Sequence, residues 1–382
     1  MAAPLLIVGT GLAGYALLRA VRQVDRHREI CMIDADAAAA YSKSQLPDGL
    51  ARGRDAGELV IATAEQMAYR FEATITPHRR ALVLDPVRRI LRTDNPAQAE
   101  QPWSQLVLAT GAEAIRPANV RGSGAAAILT VGSLAEYAYL RTQLAGRRRV
   151  AVIGGGIAAC ELAESFKRGG CEVVLLELGS HLLGRACPAL CGQRVAEALA
   201  AAGVRVRLED RAQRIDHGMH DFELTTLGGH TLPVDVVVAA LGTRPRMQLA
   251  RAAGLDVAGG IVVDHGLRTS AEGIFALGAC AELDGRLFAL REDIENAAHV
   301  LADVLGGHAT RMRWRPRTLQ LNLECCPVAI CEPPPVAGEW HESATARGVR
   351  ALFHDLSGAL RGFALVGEPA GEAGRLLARV MH

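Results

Sequence analysis

One pattern occurs twice in this chain, and it restricts the possible folds more than any other feature of the sequence. Residues 4–8 form a short apolar run, too short for a helix and suited to a buried parallel strand. Gly9-Thr10-Gly11-Leu12-Ala13-Gly14 follows at once. Ala13, Ala16, Leu17, Ala20, Val21 and Val24 then recur at helical spacing, and residues 30–33 predict a second strand ending at Asp34, with Asp36 two residues on. After Arg149 the order returns. A strand is expected over 150–153, a turn at Gly154-Gly155-Gly156-Ile157-Ala158-Ala159, a helix through Cys160, Leu162, Ala163 and Phe166, and a strand over 172–176 ending in Glu177.

Each part of this pattern has a physical job. Gly9 permits the tight turn, Gly11 lets a pyrophosphate approach the backbone, and Gly14 lets the helix pack against the strand. The helix N-terminus offers free N–H groups and a positive dipole end. A carboxylate at the end of the second strand can accept hydrogen bonds from ribose hydroxyls. In the second copy Ala159 is a permitted replacement for the third glycine. Glu177 welcomes a free 2′-hydroxyl and repels a 2′-phosphate, so this copy should prefer NAD(H) to NADP(H), with Arg185 downstream pulling the other way. Two such sites suggest a retained flavin nucleotide and an exchanging nicotinamide nucleotide. One working and one vestigial copy is the other reading, and it stays open.

Composition removes other classes. Of 382 residues, 50% are hydrophobic and 22% charged, which excludes wholesale disorder. A net charge of +1 gives no footprint for nucleic acid. No run approaches the roughly 18 apolar residues of a membrane span. Residues 1–18 lack the basic start of a signal peptide, and glycines interrupt their apolar run. The cysteines, nine in all, fit neither a disulfide framework nor zinc-ribbon spacing, and the histidines lack metal-ligand spacing, so no metal and a cytoplasmic, reducing location are expected. Among 42 basic residues only Lys43 and Lys167 are lysine, so each is a candidate for a local role.

Further strands are expected at 73–76, 81–85, 106–109, 234–241 and 274–277. The last three end at Ala109-Thr110-Gly111, at Gly242 and at Gly278, where glycine lets the chain turn beside a ligand. A strand-rich region over 319–330 and 349–366, bounded by the prolines at 333–335, precedes a helix expected over 371–381.

With these motifs in place, the chain resembles the flavoprotein disulfide reductase superfamily, which binds two dinucleotides, and within it the rubredoxin and ferredoxin reductase branch. The motifs are GTGLAG (9–14), YSKSQL (41–46), ATGAEAIRP (109–117), GGGIAACELA (154–163), ALGTRPR (240–246), GGIVVDHGLRTS (259–270), FALGACAELDG (275–285) and CCPVAICEPPP (325–335). The resemblance implies an α/β fold with two Rossmann-like domains. An FAD domain (1–112 and 238–312) is split by an inserted NAD domain (113–237), and a small C-terminal α+β domain (313–382) follows. It implies that NADH gives a hydride to flavin N5 and that single electrons pass to rubredoxin or a similar small redox protein. It places Lys43 near flavin N5 with Glu161 beside it, as the catalytic pair. The implied cofactor positions, besides Lys43, are Gly9, Gly11, Leu12, Ala13, Gly14, Asp34, Asp36, Ala109, Thr110, Gly111, Arg116, Gly154, Gly156, Ile157, Glu177, Gly242, Gly278 and Ala279. The oligomeric state stays open.

Three positions depart from the family. Ala279 stands where an aspartate normally holds ribityl hydroxyls, Asn322 stands where the rubredoxin branch has a second lysine, and Arg291, Glu292, Asp293 and Glu295 crowd a helix start that is usually apolar. These changes also suit a flavin-impaired member that serves as a binding, assembly or regulatory partner. Cys187 with Cys191, and Cys325 with Cys326 and Cys331, are either redox thiols or packing. The arginines over 311–317 are either a solvated face or a dock for an acidic electron acceptor.

Overall fold

The computed structural model describes residues 3–218 and 221–380. The chain divides into two compact units: Met1–Ser42, Gly57–Glu113 and Thr243–Trp314 make one, and Lys43–Ala56, Ala114–Gly242 and Arg315–His382 the other.

The first unit is built on five parallel strands in the order Ile274–Ala276, Gln105–Leu108, Leu5–Val8, Ile30–Ile33, Thr74–Thr76. The central strand is buried on both faces, which is why it reads as an unbroken apolar run. Helix Leu12–Val24 is buried over most of its circumference, because it lies against helix Arg291–Leu305 as well as the sheet core. Val8 is in register with both Ile33 and Leu108, and Leu108 with Ala276. The strand ends that carry Gly9, Asp34, Ala109 and Leu277 therefore lie along one edge. Two small sheets complete the unit, an antiparallel one of Ala81–Asp85, Ile90–Thr93 and Glu100–Pro102 and a mixed one of Ile261–Val262, Ala281–Leu283 and Arg286–Leu287.

The second unit repeats the parallel plan with four strands, ordered Arg205–Arg207, Glu172–Leu176, Arg149–Ile153, Val236–Ala239. It also holds a five-stranded antiparallel sheet, ordered Leu319–Leu321, Val328–Cys331, Leu360–Gly367, Gly348–Asp355, Gly338–Thr345. The segment after Ser42 also belongs here. Its helix Leu46–Ala51 packs on helix Ile157–Arg168, and the buried Tyr137 hydroxyl donates to the Arg54 carbonyl at 2.6 Å.

Two sequence expectations need correction. The single strand over 234–241 is two strands. Thr231–Val234 ends an antiparallel meander, Val236–Ala239 joins the parallel sheet beside Arg149–Ile153, and Asp235 marks the break. The final helix is shorter than 371–381: a 3₁₀ turn over Glu368–Glu372 leads into helix Ala373–Leu377. Met381, the expected last residue of that helix, lies outside the described residues.

Asp235 explains the first correction. It is 7% exposed and accepts from the backbone N–H groups of Arg148 and Arg149 and from both Nε and a terminal nitrogen of the Arg149 guanidinium. Burial pushes its pKa up, but these hydrogen bonds outweigh burial and hold it at about 2. A depressed carboxylate stabilises the fold above its unfolded pKa, and that contribution fades as pH falls through 4 toward 2. Asp235→Asn should therefore cost about 2 kcal/mol at pH 7. Urea denaturation at pH 7 and at pH 3 checks this, and the gap between wild type and variant should narrow at the lower pH.

Candidate functional site

In the first unit the nucleotide turn is shaped by what glycine lacks. Gly9 has φ +110°, and a Cβ there would lie 2.3 Å from the Ala109 carbonyl oxygen. A Cβ on Gly14 would lie 2.0 Å from the Gly9 carbonyl oxygen. Gly11, by contrast, faces open space and precedes helix Leu12–Val24 without a side-chain cap, so the helix start is bare. That combination is what a pyrophosphate needs. Asp34 has a role the sequence did not reveal. One of its carboxylate oxygens accepts from both N and Oγ1 of Thr10 at 2.6 and 2.7 Å, and the other accepts from the Asp36 backbone N–H at 2.9 Å. Asp34 thus braces the glycine turn, while Asp36 is exposed.

Two further loops border the same sheet edge. The Thr110 hydroxyl donates to the Arg246 carbonyl at 3.0 Å, and Arg246 N–H donates back to the Gly111 carbonyl at 2.9 Å. Gly278, at φ +82°, passes so close to helix Leu12–Val24 that a Cβ would lie 2.5 Å from Cβ of Ala13. The next residue, Ala279, is half-buried and offers only a methyl group. The cradle for the diphosphate end of FAD therefore fits, whereas the position expected to hold the ribityl chain has lost its acceptor. The charged segment that departs from the family forms the first turn of helix Arg291–Leu305, where acids suit the helix dipole. There Arg291 pairs with Glu295 at 3.2 Å, and its other terminal nitrogen donates to the Ser42 hydroxyl at 3.3 Å.

The second unit builds the corresponding turn. Gly154 has φ +118°, and a Cβ would lie 2.5 Å from the Ala240 carbonyl oxygen. Gly156 faces open space before helix Ile157–Arg168, again with no side-chain cap. Ala159 is fully buried where the third glycine would stand. The Glu177 side chain lies over the turn, since a Cβ on Gly155 would be 2.6 Å from its Oε2, and its Oε1 accepts from Gly179 N–H at 2.6 Å. Arg116, at the edge of this unit, is exposed and donates to the Ile128 carbonyl at 2.8 Å, while the Gly242 carbonyl accepts from Ile115 N–H at 3.0 Å.

Lys43 and Glu161 belong to this same unit. Lys43 is exposed at the head of the 3₁₀ turn Lys43–Gln45, which leads into helix Leu46–Ala51. Glu161 is half-buried on helix Ile157–Arg168, and its Oε1 accepts from Asn322 N–H at 2.8 Å. Burial pushes the Glu161 pKa up, opposed by that hydrogen bond and aided by the charge of Glu164. The family lysine position, Asn322, thus contributes its backbone N–H to Glu161.

Sequence reasoning missed Glu164. It is 2% exposed, and its two carboxylate oxygens accept from Glu324 N–H at 2.9 Å and Cys325 N–H at 2.6 Å. Arg168 pairs with Glu324 at 2.6 Å. Glu161, Glu164 and Arg168 share one helical stripe, so their spacing was the available signal. Burial, with the hydrogen bond and charge of Glu164, pushes the Cys325 thiol up to about 12. Among the described residues none of the nine cysteines is in a disulfide, and no group of three or more His, Cys, Asp or Glu converges as a metal site.

Glu164→Gln would set an amide nitrogen against one of the two backbone N–H donors. It should cost about 2 kcal/mol in urea denaturation. It should also speed alkylation of Cys325 at pH 8 by about tenfold, because the thiolate loses a neighbouring negative charge. An unchanged alkylation rate would show that burial alone controls the thiol.

Comparison with known proteins agrees with this geometry. Residues 3–302 match the pyridine nucleotide-disulphide oxidoreductase family, and residues 317–380 match a rubredoxin binding C-terminal domain. A rubredoxin-NAD(+) reductase of Alcanivorax borkumensis is 34% identical over 98% of this chain and 97% of its own length. A nitric oxide reductase FlRd-NAD(+) reductase of Aeromonas hydrophila is also 34% identical, covering 98% of this chain and 95% of its own. Among solved structures, a ferredoxin reductase from Rhodopseudomonas palustris superposes with TM-score 0.87 at 25% identity, over 99% of this chain and 95% of its own. With two glycine turns, two strand-end acids and end-to-end similarity to such reductases, the chain belongs to the pyridine nucleotide-disulphide oxidoreductase family.

Proposed function

We propose that this protein is an FAD-dependent oxidoreductase that takes electrons from NADH and delivers them singly to rubredoxin or a closely similar small redox protein. The observation that carries this reading is the pair of open glycine turns, each ending a parallel strand, followed by a C-terminal region that matches a rubredoxin binding domain. The unit with Gly9, Gly11 and Gly14 would hold FAD, and the turn at Gly154–Gly156 would hold NADH. FAD, when bound, supplies the chemistry that converts a two-electron hydride donor into a one-electron source.

The chain's own residues have separable duties. Leu12, Ala13 and Ile157 begin the two helices whose bare N–H groups face the phosphates. Glu177 selects the ribose with a free 2′-hydroxyl. We assign Lys43 and Glu161 to the reacting end, where a lysine cation stabilises developing negative charge and the carboxylate orients it. Exposed Arg311 and Arg313 give an acidic acceptor a complementary surface. Among the described residues no cysteine is in a disulfide and no helix is long and apolar enough to cross a membrane. We place the protein in the cytoplasm, where thiols stay reduced.

Steady-state reduction of rubredoxin tests the assignment. NADH should exceed NADPH in kcat/KM by about tenfold or more, and Glu177→Ala should narrow that ratio. Glu161→Gln should lower kcat by about tenfold. The same variant should match or exceed the wild-type Tm, because an amide still accepts from Asn322 N–H without burying charge. Equal use of both nucleotides would refute the Glu177 role, and an unchanged kcat would refute the Glu161 role.

Ala279 favours a second reading, in which FAD is held weakly and the chain acts as a binding partner. Restoring the acceptor with Ala279→Asp should tighten FAD binding by about 10- to 150-fold in a fluorescence titration. If both proteins fail to take up FAD, the second reading stands and the first falls.

A further inference from the structure

A pair of thiols in the second unit has no part in the nucleotide chemistry. Cys187 lies just before Pro188, which caps the 13-residue helix Ala189–Ala201, and Cys191 is the third residue of that helix. The chain before the helix turns tightly, with Cys187 N–H donating to the Leu183 carbonyl at 3.0 Å. The helix start is pressed against this turn, since a Cβ on Gly192 would lie 2.0 Å from the Leu182 carbonyl oxygen. Both cysteines are therefore fixed in position, four residues apart at the helix start, and the Cys187 side chain is near enough to push the Cys191 pKa up. Cys191 is fully buried, its sulfur 3.6 Å from the Ala364 carbonyl on strand Leu360–Gly367. Cys187 is 5% exposed and lines a surface cavity of about 360 Å³ with His181, Arg185, Glu332 and Trp340.

The two sulfurs differ in access. Cys187 meets the cavity, and Cys191 stands behind it. The neighbouring Cys187 sulfur and burial push the Cys191 pKa up, and the Cys191 S–H donates to the Ala364 carbonyl. His181, Arg185 and Glu332 stand with Cys187 at the cavity wall. A thiol open to a small oxidant, with a second thiol four residues on behind it, is the arrangement that can resolve a sulfenic acid to a disulfide.

We propose that Cys187 and Cys191 form a peroxide-sensitive dithiol in which Cys187 is attacked and Cys191 resolves. In the first step the Cys187 sulfur attacks one oxygen of hydrogen peroxide, the O–O bond breaks, and the products are Cys187–SOH and water. In the second step the Cys191 sulfur attacks the Cys187 sulfur, an S–S bond forms, and the hydroxyl leaves as water with the Cys191 proton. The two thiols lose two electrons in total, and the peroxide gains them. This inference does not depend on the electron-transfer reading, because its readout is covalent.

The test uses the full-length protein. After mild hydrogen peroxide treatment it is quenched, unfolded, alkylated with iodoacetamide and digested for mass spectrometry. Cys187 and Cys191 should lose alkylation together, the peptide that holds both should be two hydrogens lighter than its reduced form, and dithiothreitol should reverse both changes. In Cys191→Ser, Cys187 should instead be trapped as a sulfenic acid adduct by dimedone. In Cys187→Ser, Cys191 should stay fully alkylatable. Retained alkylation of both cysteines while other cysteines oxidise would overturn the proposal. So would pairing of Cys187 with Cys160, whose thiol lies within electrostatic reach of it.

Discussion

Both nucleotide turns depend on a side chain that is not there. At Gly9 and at Gly154 the carbonyl oxygen that follows the neighbouring parallel strand lies 2.3 and 2.5 Å from where a Cβ would stand. Any other residue would force the turn away from that strand, quite apart from the positive φ that both glycines adopt. The close approach follows from register. Val8 pairs with Leu108, so Ala109 comes beside Gly9; Ile153 pairs with Ala239, so Ala240 comes beside Gly154. Parallel pairing thus sets the turn, the turn aims the helix, and the bare helix start creates the anion site.

The two turns are alike in backbone and different in how they use their acids. Asp34 is engaged by Thr10, so the first turn is braced by its own carboxylate. Glu177 instead lies across Gly155 and is tied to Gly179, which keeps it over the turn. A rigid first site suits a cofactor kept through many turnovers. An acid lying over the second turn suits its proposed part in choosing an exchanging nucleotide. Ala279 is the point at which the first site is weaker than its backbone suggests.

Much of this organisation was legible in the sequence, because the informative signals were local. A buried parallel strand reads as an apolar run, and glycine marks the turn, so the paired strand–turn–helix units were visible without coordinates. Long-range roles were not. Asp235 falls inside the single strand expected over 234–241, and only the structure shows it clamping Arg148 and Arg149 across 86 or more residues. Asp34 carried the right residue type for ribose, yet its partner is Thr10 across the turn. Glu164 drew no role from the sequence, and the structure shows the backbone N–H groups of residues 324 and 325 donating to it. The grouping of Lys43 with the unit of Glu161 is likewise a packing outcome, set by helix Leu46–Ala51 lying on helix Ile157–Arg168.

The central claim is that one chain brings a retained flavin and an exchangeable nicotinamide nucleotide into redox contact. Anaerobic titration of the FAD-loaded protein with NADH, followed at the flavin absorbance bands, tests it most directly. The account predicts that about one equivalent of NADH bleaches the flavin and that oxidised rubredoxin restores the colour. A flavin spectrum unmoved by excess NADH would contradict it.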